Sequence, residues 1–481
     1  MDPDGPQSAP AGSFREIFRV AIPLVLSSGS LSLMIFVDRM YLAWLSMDAL
    51  AAALPAAALH WAVLSVAIGT GTYVNAFIAQ YDGAGRKDRV AASIWQGIYL
   101  ALISGVVVLF FVPLSGPIFN FVGHDPAVRE MEAAYFAILC SGGIATILAA
   151  VLSCFYSGRG RTMVVLYVNV GVVLMNVVLD YCLIFGKGPF PAWGIRGAAV
   201  ATIFANVVAV ATYICLMTRP AVLREYPLWA LRRFDRELFG RLIRYGLPSG
   251  LQFGVDVGAF SLFIFLVGTI GKEHLAATNL AFNLNALAFI PMMGFGIAVM
   301  TLVGKRIGEG RPEMAVQTTW KAFAVAGGYL LFFGGVVVVF PDLMIAPFAK
   351  YSSPEQFAPI REHVIVLLRF VALFTFFDGM AIIFGSAVRG AGDTRFSLMF
   401  TFLTSWSLML LPTFVAWLTV GLNLAVGWSA CTLYVIVLGV GFVLRFQAGR
   451  WKSMRIIEND PVRTPRADES LPTGEIAVES A

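Results

Sequence analysis

The chain has 481 residues, 58% of them apolar and only 13% charged, with a net charge of +5 and a mean hydropathy of +0.79. Soluble chains carry about 25% charged residues, and about 45–50% apolar ones even with glycine counted. A soluble multidomain enzyme and a disordered chain are both excluded, and the apolar content suffices for a dozen helices of ~20 residues, the length that spans a bilayer. The fold class expected is an all-α polytopic membrane protein.

The opening residues MDPDGPQSAPAGS are polar and carry no cleavable signal, so residues 1–16 are expected to be a short N-terminal segment and the next apolar run a retained span. Apolar runs bounded by Gly, Pro or charge clusters predict twelve helices, near 17–44, 50–80, 90–112, 130–157, 163–186 and 195–217, then 240–268, 274–303, 315–340, 360–387, 396–418 and 422–446. Lys and Arg concentrate in the loops after the even-numbered helices, most of all around Arg224 to Arg244. By the positive-inside rule both termini are cytoplasmic, which requires an even number of spans. Residues 447–481 lose the apolar pattern and are expected to form a disordered cytoplasmic tail.

The long basic loop, 219–239, is also a repeat boundary between residues 17–218 and 240–446. Shifting 48–86 by 225 places it on 273–311 without a gap, with 11 of 39 positions identical, among them Gly69/Gly294, Gly71/Gly296, Gly83/Gly308, Gly85/Gly310 and Arg86/Arg311. The same shift carries Pro23 onto Pro248. Two parallel six-helix halves follow, and transporters often bind substrate between such repeats.

A carboxylate inside a bilayer costs about 2.5–3.5 kcal/mol on insertion scales, so each one demands a reason. Four fall within the predicted spans beyond their first three residues: Asp38, Asp180, Asp256 and Asp378. Asp38 and Asp180 share a depth, Asn176 lies one helical turn before Asp180, and Thr202 reaches the same level from the sixth helix. Such oxygens could hold a small hard cation such as Na⁺, or two facing carboxylates could carry a proton. Competing readings are a solvated helix end for Asp38, interfacial exposure for Asp180, structural hydrogen bonding for Asp256 and Asp378, helix packing for Asn176 and back-bonding for Thr202. Gln252 lies one turn before Asp256; Asn279 and Asn283 could line a cavity or serve helix packing, and Arg369 could be a counter-ion. The shift of 225 does not superpose the acids, so the frame repeats and the acids do not.

Cysteines 140, 154, 182, 215 and 431 show no C-x-x-C pair and read as buried apolar residues. The histidines share no i, i+4 spacing, so no metal cluster is expected. The absence of a G-x-x-x-x-G-K-[ST] loop argues against ATP as energy source, and neither G-x-S-x-G nor H-E-x-x-H occurs. Secondary transport remains, with no cofactor beyond a coupling ion and no nucleic-acid partner. An integral-membrane enzyme is the alternative from another class.

Several segments together resemble the multidrug and toxic compound extrusion (MATE) family, in its bacterial NorM-like branch. They are Pro23 to Asp38 with FVDRMYLAWLSMDALAAA, Gln80-Tyr81-Asp82-Gly83-Ala84-Gly85, Asn176-x-x-x-Asp180 before IFG, GIRGAAVAT, and Asp378 to Arg395 ending RGAGDTR. The resemblance covers about residues 15–446. It implies two six-helix lobes around a V-shaped central cavity, and efflux of amphipathic or cationic organic compounds in exchange for Na⁺ or H⁺ across a bacterial inner membrane. By position, Asp38, Asn176, Asp180 and Thr202 match the N-lobe cation or proton site, and Asp256 and Asp378 match cation-binding acids of the NorM-type branch, the first usually a glutamate, so either lobe could take the Na⁺ or H⁺ that couples transport. Gln252 and Asn283 are candidate cavity residues, and a monomer in contact with membrane lipid is expected. A lipid-linked saccharide flippase of the related fold is the nearby alternative.

Overall fold

A computed structural model describes residues 10–122, 124–349, 354–419 and 421–458. Among these, eleven helices are long and apolar enough to cross a membrane, and a bent pair makes a twelfth. In the N-terminal lobe they are α1 (Phe14–Leu45), α2 (Met47–Gly83), α3 (Lys87–Leu109), α4 (Pro126–Ser141 with Gly143–Ser157), α5 (Thr162–Phe185) and α6 (Ile195–Met217). The C-terminal lobe holds α7 (Arg236–Gly268), α8 (Lys272–Gly308), α9 (Pro312–Val339), α10 (Pro354–Ala391), α11 (Thr394–Thr419) and α12 (Leu424–Gln447). The two lobes meet through α1, α2, α7 and α8.

Local chemistry sets the helix ends. Ser13 opens α1 by accepting from the Glu16 amide at 3.2 Å, and the Glu16 carboxylate accepts from the Gly12 amide at 2.6 Å, a reciprocal cap. Ser46 and Asn423 cap α2 and α12 by accepting from the Ala49 and Val426 amides, and Asp235 caps α7 by accepting from the Glu237 and Leu238 amides. Past α2 and α8 the chain turns through Gly85 and Gly310, both at φ +71°, a left-handed conformation at equivalent points of the repeat.

Two predicted helices are not simple rods. The fourth span, expected as one run, bends by 46° at Gly142, where a side chain would collide with Ile203 of α6. The eleventh contains a π-helical turn, Ser405–Leu410. The disordered tail expected from residue 447 needs correcting as well. Arg450–Ser453 form a 3₁₀ turn, and Trp451, Ile456 and Ile457 are buried, because these three apolar side chains find a groove at the basic end. Residues 459–481 of that expected tail lie outside the described residues. The cysteines divide: Cys140, Cys154 and Cys431 are buried, Cys182 is partly buried and Cys215 is exposed.

The seam between the lobes obeys the repeat. A Cβ on Gly69 of α2 would lie 2.7 Å from the Gly250 Cα of α7; its counterpart Gly294 of α8 would lie 2.6 Å from the Val25 nitrogen of α1. Nearer the basic end, Gly83 abuts the carbonyl of Lys305 while its counterpart Gly308 abuts the carbonyl of Gln80. Every partner in these pairs is shifted by the same 225 positions, so the lobes meet around a pseudo-twofold axis. Polar bonds reinforce the seam: Asn75 donates to Thr301 at 2.8 Å, Tyr73 to the Arg389 carbonyl at 2.8 Å, and Gln80 to the Gly390 carbonyl at 2.9 Å. These contacts lie from mid-helix toward the basic loops, which closes the V there.

Backbone contact this close leaves no room for a methyl group, and overpacking typically costs about 1–3 kcal/mol. Gly308→Ala is expected to lower the thermal unfolding midpoint of the detergent-solubilised protein, whereas Gly328→Ala, with nothing within 4 Å of its Cβ position, leaves it equal or slightly higher. Equal midpoints for both variants in a fluorescence thermal-shift measurement would show slack in the seam.

Candidate functional site

In the N-lobe, α1, α4 and α5 bring Asp38, Tyr135, Asn176 and Asp180 together. Asp180 and Asn176 are fully enclosed, at 0% and 1% exposure, which rules out the interfacial reading of Asp180. The spacing of four residues puts both on one face of α5, and Asn176 donates its amide to Asp180 at 3.5 Å. Asp38, half-buried on α1, accepts from the Tyr135 hydroxyl at 3.5 Å and lies near enough to Asp180 for the two charges to interact. Asp38 is thus not a solvated helix end. One oxygen on each of three side chains, Asp38 Oδ1, Asn176 Oδ1 and Asp180 Oδ2, is buried without a protein partner.

Orphaned buried oxygens of that kind are costly unless something occupies or neutralises them. Unpartnered oxygens on three neighbouring side chains suit a proton or a hard cation. Thr202 does not join by hydrogen bond: its hydroxyl donates to the Ala198 carbonyl of its own helix at 3.1 Å, so it could contribute only a lone pair. Among the described residues, no group of three or more His, Cys, Asp or Glu side chains is placed to hold a metal ion. The N-lobe acids number two, with an amide beside them.

A second acidic site lies in the C-lobe. Asp256 of α7 accepts from the Tyr434 hydroxyl of α12 at 3.4 Å and interacts electrostatically with Arg389 of α10; Asp378, also on α10, lies within electrostatic reach of Asp256. Arg389 in turn donates to Ser386 at 3.1 Å and to Gln252 at 3.5 Å, and Gln252 donates to Thr401 at 3.1 Å. Gln252 is buried and committed to this network. Asn279 and Asn283 are exposed on α8, with Asn283 donating to the Asn279 carbonyl at 2.8 Å, so helix packing does not use them. Arg369 is exposed on α10, and the charge beside Asp256 comes from Arg389 instead.

The two sites therefore differ in their internal charge balance. Asp256 has an arginine beside it, whereas the partners of Asp180 are a second carboxylate and an uncharged amide. Sequence reasoning missed Tyr135, Tyr434 and Arg389. A tyrosine in an apolar span is common, and only packing shows that these two hydroxyls point at acids. Arg389 had a signal, being a charge at the end of an apolar run opposite another acid-bearing helix. The histidines, isolated in sequence, are not all isolated in space: His274 and His363 stack with ring centroids 4.6 Å apart, and His124 lies 2.7 Å from Glu132.

A sequence profile of the MatE family matches residues 23–182 and 248–415, one stretch per lobe, starting at the prolines that the repeat aligns. The chain is 26% identical over 455 residues to the probable multidrug resistance protein NorM of Thermotoga maritima, covering 93% of this chain and 95% of that one. It is 27% identical over 406 residues to the protein of the same description from Xanthomonas campestris, covering 83% and 86%. Among solved structures, it matches a MOP superfamily transporter from Pyrococcus furiosus at a TM-score of 0.83 and 21% identity, over 92% and 97% of the two chains. It matches the outward-facing conformation of a MATE family multidrug resistance transporter with the same TM-score, identity and coverage. These structures establish the fold.

Two like charges within electrostatic reach in a desolvated site destabilise each other, so removing either relieves the same repulsion, and neighbouring sites couple by about 0.5–3 kcal/mol. At pH 10, where both carboxylates are ionised, Asp38→Asn and Asp180→Asn are each expected to raise the thermal unfolding midpoint, and the second substitution to add little in the presence of the first. Strict additivity in that double-mutant cycle would show that the two carboxylates do not sense each other.

Proposed function

The chain belongs to the MatE family, and from that premise we propose that it is a secondary active antiporter that expels amphipathic, cationic organic compounds in exchange for H⁺ or Na⁺. The relatives named as multidrug resistance proteins support efflux of small organic compounds, and the multi-pass fold supports a membrane transporter. The basic end of the molecule is read as cytoplasmic, with both termini on that side of a bacterial inner membrane and the V open to the outside. The working unit is read as a monomer surrounded by lipid.

One observation carries the coupling assignment: the three buried oxygens of Asp38, Asn176 and Asp180 that lack a protein partner. Arg39 lies within electrostatic reach of Asp38, but Asp180, enclosed beside a second carboxylate, has no such counter-charge and gains most from taking up a cation, which it returns when the helices around it move. A ligand shifts a conformational equilibrium only by its differential affinity for the two states. The N-lobe site has the electrostatic demand for such a difference. The C-lobe acids, with Arg389 beside Asp256, have less of it, and are read as facing the substrate in the cavity together with exposed Asn283. Opposite charge there favours cationic over anionic cargo.

Purified protein in proteoliposomes, with an imposed pH or Na⁺ gradient and a fluorescent organic cation, tests this directly. Uptake into inside-out vesicles is expected with one gradient and not the other, and Asp38→Asn should lower it at least about 100-fold while the protein remains folded, the size of effect lost with an essential proton-transfer group. Transport indifferent to both gradients would end the antiport reading, and wild-type rates in Asp38→Asn would remove the N-lobe site from coupling.

A further inference from the structure

The chain does not leave the molecule after α12. Gly449, at φ +72°, turns it back, and Trp451 stacks on Phe446 with ring centroids 4.8 Å apart while its indole N–H donates to the Phe446 carbonyl at 2.8 Å. Arg455 then donates to the Ile307 carbonyl of α8 at 3.1 Å, and Ile456 packs against Gly392. All of these partners belong to the C-lobe, so the segment is anchored there. Its last described residues cross the seam. The Ile456 amide donates to the Gln80 side chain of α2 at 3.2 Å, and Glu458 lands among N-lobe groups: Tyr81 Oη at 2.6 Å, Arg89 Nε at 2.8 Å and Arg86 Nη2 at 3.0 Å. Arg241 of the C-lobe closes the socket from the other side.

We propose that residues 449–458 are a bolt across the basic end: carried by the C-lobe, Glu458 docks its carboxylate in an arginine–tyrosine socket of the N-lobe and holds the transporter closed on that side. When the lobes part at the basic end, Glu458 cannot keep Arg241 and the α2–α3 groups at once, so opening toward the basic side requires the bolt to leave its socket. The first described residues also reach across, Gly12 accepting from Lys321 of α9 and Glu16 pairing with Arg306 of α8, but they lead directly into α1; the segment after α12 is a separate arm whose sequence carries its own means, three apolar anchors, Trp451, Ile456 and Ile457, ending in an acid.

The chemistry of the socket sets the conditions under which it holds. Burial by itself would push the Glu458 carboxyl up, but hydrogen bonds from Tyr81, its own backbone amide, Arg241 and Arg89 outweigh that and hold it at about 2. A carboxyl depressed in the docked state contributes fully above its ordinary value of 4.5 and loses that contribution only as pH falls toward 2. The bolt is therefore insensitive to pH between 5 and 8, unlike the acids proposed to couple transport, and it acts as a constant bias between conformations. Charge-assisted hydrogen bonds are each worth about 1.5–3 kcal/mol, so losing even one changes the balance of states roughly tenfold or more.

The bolt matters for transport only if the chain alternates between two openings, as proposed above, but its effect on the closed end can be read without substrate, ion gradient or vesicle. Spin labels at Asp88→Cys and Arg311→Cys, exposed positions at the basic ends of the two lobes, report the width of the seam in a cysteine-free background. The wild-type segment is expected to give one short distance population. Glu458→Ala is expected to raise the long-distance population about tenfold or more, and Glu458→Gln to act in the same direction because it keeps the size and loses the charge. Glu313→Ala serves as control, since the Lys452–Glu313 pair at 3.0 Å joins the segment to the C-lobe alone; it should leave the distances unchanged. Unchanged distances in both Glu458 variants would overturn the bolt, as would an equal shift in Glu313→Ala. Loss of gradient-driven transport with these distance shifts intact would instead count against the antiport reading.

Discussion

The structure depends on backbone-to-backbone contact between its halves at one end. Gly69 against Gly250, Gly294 against Val25, and the reciprocal pair of Gly83 with Lys305 and Gly308 with Gln80 bring helices from opposite lobes together with no side chain between them. In a membrane, where apolar side chains gain little by leaving lipid for protein, small residues that permit close packing are the main means of joining helices. Concentrating them in the half of the seam nearest the basic loops closes the V there, and among the described residues the opposite end has no equivalent set of glycine crossings. The polar bonds of Asn75, Tyr73 and Gln80 then fix the register of a contact that dispersion forces make close.

On that frame the two lobes keep the same scaffold and different chemistry. Each has acids where acids are costly, but the N-lobe surrounds Asp180 with groups that cannot neutralise it, whereas the C-lobe places Arg389 near Asp256. Arg389 also offers its carbonyl to Tyr73 across the seam, so the C-lobe acid site and the closed end share one residue. A charge change at Asp256 and a separation of the lobes therefore act on the same segment of α10. This contact gives a physical link between the cavity and the closed end, running through a side chain and its own backbone.

The acids were legible in the sequence because a charge in an apolar run stands out against its neighbours, and the repeat because glycines and loop charges recur at a fixed interval. Asn176 and Asp180 could be placed on one face from spacing alone. What could not be read is which distant groups meet them. Tyr135 is 97 residues from Asp38 and Tyr434 is 178 from Asp256, and nothing local distinguishes these tyrosines from others in the spans. Thr202 shows the converse: depth along the helix was right for the site, but its hydroxyl is used by its own backbone. The segment after α12 was misjudged because its polar composition hides three apolar anchors whose partners lie on other helices.

By itself, the sequence determined how many times the chain crosses, how it divides into equivalent halves, and which few charged residues have to be accounted for. These are properties of hydropathy and spacing along one strand, and they survive any arrangement of the helices in space. The tertiary structure decided which oxygens are buried without partners, which acid is given an arginine, where a helix must break for a neighbour, and that the last described residues reach back across the seam. Such features depend on side chains from helices far apart in sequence occupying the same few cubic ångströms, and only packing specifies that.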